Sequence, residues 1–198
     1  MKKVFAIVAL VAAMFVAGNV QAQNMVYVGY APETFAYTNS SNNYSGFMAG
    51  FSKNVAISKG FGVAAGAQFR MNTKSSDAFF GFGTGKSTQL LIDVPVLFNY
   101  SIAINRDLAI TPFVGPMISF AVAGNTKTTF GNTNFDHNWY GDNGFLNRFN
   151  LYAVFGGDIR FNDFNIFGGY RLGLVDIDNN NNVTLKTNGF FVGLGFNL

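Results

Sequence analysis

From Asn188 to Leu198 the chain alternates with a period of two: Phe190, Val192, Leu194, Phe196 and Leu198 fall on one phase, and Gly189, Phe191, Gly193, Gly195 and Asn197 on the other. This is the pattern of a β-strand with one apolar face and one face made mostly of glycine. An open strand of this kind would invite edge-to-edge association. Closing the sheet into a barrel within a bilayer removes the edges and covers the apolar face with lipid. Seven further segments carry strand signals. Met25 to Ala31 places Val26, Val28 and Tyr30 together, and Tyr44 to Ser52 sets Phe47, Ala49 and Phe51 against Gly46, Met48 and Gly50. Phe61, Val63, Ala65, Ala67, Phe69 and Met71 alternate with Gly62, Ala64, Gly66, Gln68 and Arg70. Leu90, Ile92, Val94, Val96, Phe98 and Tyr100 alternate with Gln89, Leu91, Asp93, Pro95, Leu97 and Asn99. Ile110 to Val122 is apolar on both phases. Phe149 to Phe161 carries Asn150, Tyr152, Asp158 and Arg160 inward, and Phe164 to Leu174 carries Asn165 and Arg171 inward.

Connections between these segments alternate in length. Pro32–Asn43, Asn72–Lys86, Gly124–Asn147 and Asp176–Thr187 are long and polar, whereas Lys53–Gly60, Ser101–Asp107 and Asn162–Asp163 are short. The expectation is an all-β fold, an eight-stranded antiparallel up-and-down transmembrane β-barrel with long extracellular loops and short periplasmic turns. An even strand number puts both termini on the periplasmic side.

The first residues change the picture by setting a compartment. Lys2 and Lys3 precede an apolar run from Val4 to Ala17, and Val20-Gln21-Ala22 offers small residues before a cut at Gln23. That run is short for a membrane helix and reads as a signal peptide over residues 1–22, leaving residues 23–198 as one outer-membrane β-barrel domain. No later stretch is apolar over the roughly 20 residues that a membrane helix needs.

Composition narrows the function classes. Removing Lys2 and Lys3 from the 13 Lys+Arg leaves 11 against 10 Asp+Glu, so the mature chain is nearly neutral and offers no basic stripe for nucleic acid. With Cys 0, disulfides and thiolate metal sites are excluded. Phe 24 and Gly 23, with 12% charged residues, suit a sheet with aromatic residues facing lipid and little room inside.

Asp93-Val-Pro-Val-Leu-Phe-Asn-Tyr100, followed by Thr111-Pro-Phe-Val-Gly-Pro-Met-Ile118, resembles the central strands of small outer-membrane β-barrel domains of the OmpA/OmpX-like type, a porin-family barrel. Gly193-x-x-Phe196-x-Leu198 resembles the C-terminal signal read by the barrel-assembly machinery, although Leu198 stands where Phe is more usual. The resemblance implies a fold, an outer-membrane location and that assembly partner, and implies no ligand.

Candidate chemistry is sparse. Gly85-Lys86-Ser87 has the end of a phosphate-binding loop, but Phe80 stands where the first glycine is required and a strand follows instead of a helix. Asp176-Ile-Asp178-Asn-Asn180 alternates oxygen ligands as a calcium loop does, but Asn181 replaces the turn glycine and Thr187 the bidentate glutamate. His137 is the sole histidine and sits beside Asp136; as a general base it needs a hydroxyl within reach, and the sequence marks none. Trp139-Tyr140 reads as an interfacial or partner-binding aromatic pair. No catalytic, cofactor-binding or metal-binding residue is assigned, and no cofactor is expected.

Inward charges form the last constellation. A hairpin brings Arg70 and Asp93 to the extracellular end, and Asp158, Arg160 and Arg171 come from neighbouring strands. An eight-stranded lumen is of side-chain width, so these charges read as a filled polar core. The expected protein is a monomeric, non-enzymatic outer-membrane barrel, in contact with outer-membrane lipid, acting structurally or through an extracellular loop partner. The alternatives are a lipid-modifying enzyme using His137, a small passive-transport barrel and, more remotely, a soluble periplasmic barrel with an apolar ligand.

Overall fold

The computed structural model describes residues 22–37, 40–78, 83–130, 133–140, 144–179 and 184–198. The expected signal peptide therefore lies outside the described residues, save for Ala22.

Period-two alternation becomes strand at every segment where it was read. The strands are β1 (Ala22–Tyr30), β2 (Glu33–Ala36), β3 (Ser41–Ser58), β4 (Phe61–Ala78), β5 (Gly83–Tyr100), β6 (Ile102–Ala103), β7 (Leu108–Phe130), β8 (Thr133–Asn138), β9 (Phe149–Phe161), β10 (Phe164–Gly173) and β11 (Lys186–Asn197). All pairings are antiparallel, and the ring runs β1-β3-β4-β5-β7-β9-β10-β11 and back to β1. That is an eight-stranded barrel. β2 prolongs β1 beyond Ala31-Pro32 and pairs with both β11 and β3. β6 and β8 each add a short ladder to β7.

One end is closed by tight connections. Lys59-Gly60 joins β3 to β4 with Gly60 at φ 80°, and Asn162-Asp163 joins β9 to β10 with Asn162 at φ 52°. Two-residue hairpin turns need positive φ because their twist must match that of the strands, and Gly and Asn reach it most cheaply. Ala22 and Leu198 lie at this same end, where the Leu198 amide donates to the Asn24 carbonyl at 2.9 Å.

The opposite end differs from the expectation. Asn72–Lys86 and Gly124–Asn147 are not irregular loops along their length. β4 and β5 pair up to Ala78 and Gly83, and β7 runs 23 residues before returning as β8. The wall formed by β3, β4, β5 and β7 thus stands much taller than the side made by β9, β10 and β11, where β10 has 10 residues. Above the apolar belt the outer face of these strands meets water and the inner face is polar or glycine, so no apolar alternation marked them as strands.

The outer surface is apolar across a belt. Val28, Phe47, Phe69, Val114, Ile166 and Leu194 all point outward and are exposed. In β4 the outward apolar phase runs from Phe61 to Met71; at about 3.3 Å per residue and about 40° tilt this covers roughly 25 Å, the apolar height of an outer-membrane barrel. Val63 and Ala65 keep the outward phase but are buried, shaded in register by Val55 and Phe98 and by Lys53 and Val96. Phe61, Phe98, Tyr100, Phe161, Phe164 and Phe196 gather toward the tight-turn end, with Phe61 on Tyr100 at 4.6 Å and Phe164 on Phe196 at 5.2 Å between ring centroids. The doubly apolar β7 settles with Phe113, Met117 and Ser119 inward and Val114, Phe120 and Val122 outward.

Candidate functional site

Large side chains fit the narrow lumen because glycines stand opposite them. A Cβ on Gly193 would lie 2.4 Å from the Phe167 ring, and one on Gly50 would lie 2.7 Å from the Tyr27 ring. Alternation of large and small inward residues is how a small barrel fills its interior.

At the extracellular edge of the apolar belt the lumen is crossed by a polar network. Arg70 of β4 donates from Nε to Asp93 Oδ2 at 2.8 Å and from Nη2 to Asp93 Oδ1 at 3.3 Å. Its Nη1 lies 2.7 Å from Glu33 Oε2, a close ion pair without good hydrogen-bond alignment. All three side chains are at most 1% exposed. Gln68 Nε2 donates to Asp93 Oδ2 at 2.9 Å, and Ser119 Oγ to Asp93 Oδ1 at 2.5 Å. Tyr152 donates its hydroxyl to Glu33 Oε1 at 2.5 Å, Asn72 donates to Glu33 Oε2, and the Arg70 guanidinium lies over the Tyr152 ring. A buried ion pair is tolerable only when its remaining donors and acceptors are met, and here Asp93 is served from β4 and β7, and Glu33 from β4 and β9.

The pairing of Arg70 with Asp93 expected from the hairpin is present. Both residues lie at the extracellular edge of the apolar belt, and β4 and β5 continue past them. Glu33 belongs to the network as well, on β2 and not in the irregular Pro32–Asn43 connection that was expected. Glu33 is the only glutamate of the chain, and its phase carries a signal: Tyr27, Gly29, Ala31, Glu33 and Phe35 extend one inward phase across Pro32.

Arg171 joins the network's neighbourhood without an ion pair. Its Nη2 donates to the Ala31 and Pro32 carbonyls at 3.2 and 3.1 Å, while Nε and Nη1 are buried and meet no acceptor. Arg171 does not pair with Asp158 as the sequence reading grouped them. Asp158 instead accepts two bonds from Asn165 Nδ2, at 2.8 and 2.7 Å, and Arg160 donates to Gln23 Oε1 at 3.2 Å. Between the network and the tight-turn end the lumen holds a cavity of about 170 Å³.

Above the network an aromatic cluster caps the barrel. Phe35, Trp139, Tyr140, Leu146, Ile177 and Leu185 are all buried together. Trp139 Nε1 donates to Thr126 Oγ1 at 2.9 Å, and Tyr140 accepts from Gln89 Nε2 at 2.5 Å. Burial pushes the Tyr140 phenol up to about 12, so it stays protonated at neutral pH. This corrects the expectation that Trp139-Tyr140 forms a surface for a partner: the pair plugs the mouth.

His137 stacks on Phe145 with ring centroids 5.6 Å apart. Its cross-strand neighbour Thr126 has its hydroxyl engaged, accepting from Trp139 Nε1 and sharing a hydrogen bond with Ser87, and among the described residues no hydroxyl is hydrogen-bonded to His137. Asp176 is occupied as a loop brace, accepting from the Asp178 and Leu185 amides at 3.0 and 2.9 Å, and Asn180 and Asn181 lie outside the described residues. Lys86 and Ser87 sit on the β5 ladder, while Phe80 lies outside the described residues. No group of metal-ligating side chains occurs among the described residues.

A closed antiparallel ring with an apolar belt, an aromatic rim and a charge-filled lumen defines the class of small membrane-spanning β-barrels. The family model described as "Outer membrane protein beta-barrel domain" matches residues 14–179, and the chain belongs to that family, whose members reside in the outer membrane. Its fold is that of Ail, the attachment invasion locus protein of Yersinia pestis, solved in complex with the heparin analogue sucrose octasulfate. The two share 14% identity at a TM-score of 0.55 over 89% of this chain and 99% of that one. Neisserial surface protein A has the same fold, with 12% identity and a TM-score of 0.52 over 88% of this chain and 97% of that one. No curated protein matches this chain. The tight-turn end is accordingly periplasmic and the tall wall extracellular.

Proposed function

We propose that this protein is a monomeric, non-enzymatic surface-interaction barrel whose working part is the extracellular rim. The observation that carries this reading is the contrast between a plugged lumen and the β7–β8 hairpin. All six residues of β8 are exposed, Phe135 among them, although Trp139 just beyond is buried. A tall hairpin presenting polar side chains and the exposed Phe135 suits contact with a partner. On the outer face of the same wall Lys86 stands directly opposite Lys127; Asp136 lies 4.0 Å from Lys127 and offsets one of these charges, which leaves Lys86 as the cation an anionic partner would meet. Residues 1–22 would be removed on export, and β11 would present the assembly signal.

The test uses cells displaying the protein on a heparin-coated surface. Replacing Thr128 to Asn134 by a short Gly/Ser turn, with Trp139 and Tyr140 retained, should leave outer-membrane assembly intact and abolish adhesion. Adhesion equal to that of the full-length hairpin contradicts the reading. The lipid-modifying alternative has its own readout: a His137→Ala strain should show an unchanged lipid A acyl profile, and a lost acyl modification would move enzymatic chemistry to the front.

A further inference from the structure

The periplasmic half of the lumen contrasts with its surroundings. Its cavity of about 170 Å³ widens into the mouth formed by Gln23, Asn54, Asn99 and Arg160, so it communicates with the periplasmic side. Its walls include Met25, Met48, Met117, Phe113, Phe167 and Phe191. Apolar cavities of about 150 Å³ accept a benzene-sized molecule, and thioether side chains adapt their shape to what they enclose. Arg171 also lines this cavity, as do Arg160 and Asp158 toward the tight-turn end, the Asp158 carboxylate being held by Asn165. Arg171 is 1% exposed, and its Nε and Nη1 have no acceptor. The nearest buried carboxylates cannot supply one: Asp93 is held by Arg70, Gln68 and Ser119, and Glu33 by Arg70, Tyr152 and Asn72. Unmet donors on a buried guanidinium are costly, and a carboxylate is their best-matched partner.

We propose that this blind vestibule binds a small carboxylate with an apolar body of about six carbons, entering from the periplasm. The Arg171 guanidinium turns toward the cavity to donate to the ligand's carboxylate, and the ligand's apolar body lies against the methionines and phenylalanines. Neither the network nor the capped mouth need open for it to enter.

The protein in lipid nanodiscs, with methyl-labelled methionine, provides the test. Met25, Met48 and Met117 line the cavity, while Met71 is exposed on the lipid-facing side. Hexanoate should shift the three lumen methyls saturably and leave Met71 unmoved. Hexan-1-ol should bind at least tenfold more weakly, and Arg171→Gln should remove that preference. Absence of a saturable shift at the lumen methyls, a parallel shift of Met71 from partition into the bilayer, or equal binding of acid and alcohol overturns the proposal. Should Arg171→Gln fail to assemble, the acid-to-alcohol comparison on the unaltered protein decides alone.

Discussion

The two halves of the lumen are lined by the same inward phases of the same strands, yet they are built to opposite ends. In the outward half Glu33, Arg70, Asn72, Gln89 and Asp93 reach across and meet one another, and the aromatic cap closes above them. In the periplasmic half shorter polar groups such as Ser52, Asn54 and Ser101 share the wall with methionines, and the space between stays unfilled. The difference teaches that strand number sets the width of a barrel, while the choice of inward side chains sets where along the axis it is blocked. A protein that blocks only its outward half separates the outside from the lumen but leaves the periplasmic end accessible.

The sharpest way to break this comparison is to remove the shared cation. Arg70→Leu leaves Glu33 and Asp93 buried without their counter-charge, and the loss should be about 3–5 kcal/mol in reversible unfolding in lipid vesicles. A cost near zero would mean that the network does not hold the outward half together. A change outside the lumen comes next: Val192→Arg puts a charge into the lipid-facing belt and should cost about 2–4 kcal/mol. The same arginine at Asn134 on the exposed hairpin should cost nothing measurable, so equal losses would contradict the register of β11 and the position of the bilayer. Smaller still is the effect expected in the periplasmic half. Arg160→Met removes a partly exposed charge whose bond to Gln23 is 3.2 Å long, and should change stability by less than about 1 kcal/mol. A loss approaching that of Arg70→Leu would erase the distinction between the halves. Least disturbing of all is shortening the hairpin between Thr128 and Asn134. Trp139 is the chain's single tryptophan and is buried in the cap, so its fluorescence emission should stay blue-shifted and unquenched by aqueous iodide in the shortened protein. Red-shifted, quenchable emission would mean that the tip holds the cap in place.

What the sequence made legible follows from where solvent changes across the sheet. In the bilayer belt one face of every strand meets lipid and the other meets the lumen, so strands such as Phe149–Phe161 could be read to the residue. Above the belt Thr73, Ser75, Thr126 and Thr128 are polar whichever way they face, and the tall wall passed for loop. Pro32 hid Glu33 in the same way, because proline ended the reading of β1 although the inward phase continues through β2. The pairing of Arg70 with Asp93 was legible because a hairpin fixes neighbours. The burial of Trp139 and Tyr140 was not, because it depends on contacts with Phe35 and Leu185, more than forty positions away in either direction. The lumen's apolar periplasmic half escaped for a related reason: Met25, Phe113 and Phe191 lie on phases dominated by glycine, asparagine or other apolar residues, and only their convergence across the barrel makes a cavity.

Conductance of the purified, unaltered protein in a planar bilayer tests the blocked lumen most directly. With Arg70, Glu33 and Asp93 locked across the barrel and Trp139 and Tyr140 above them, the account predicts no sustained current steps at moderate voltage. Steady, reproducible channels would contradict it, and would mean that the network opens and that passive transport takes the place of surface interaction.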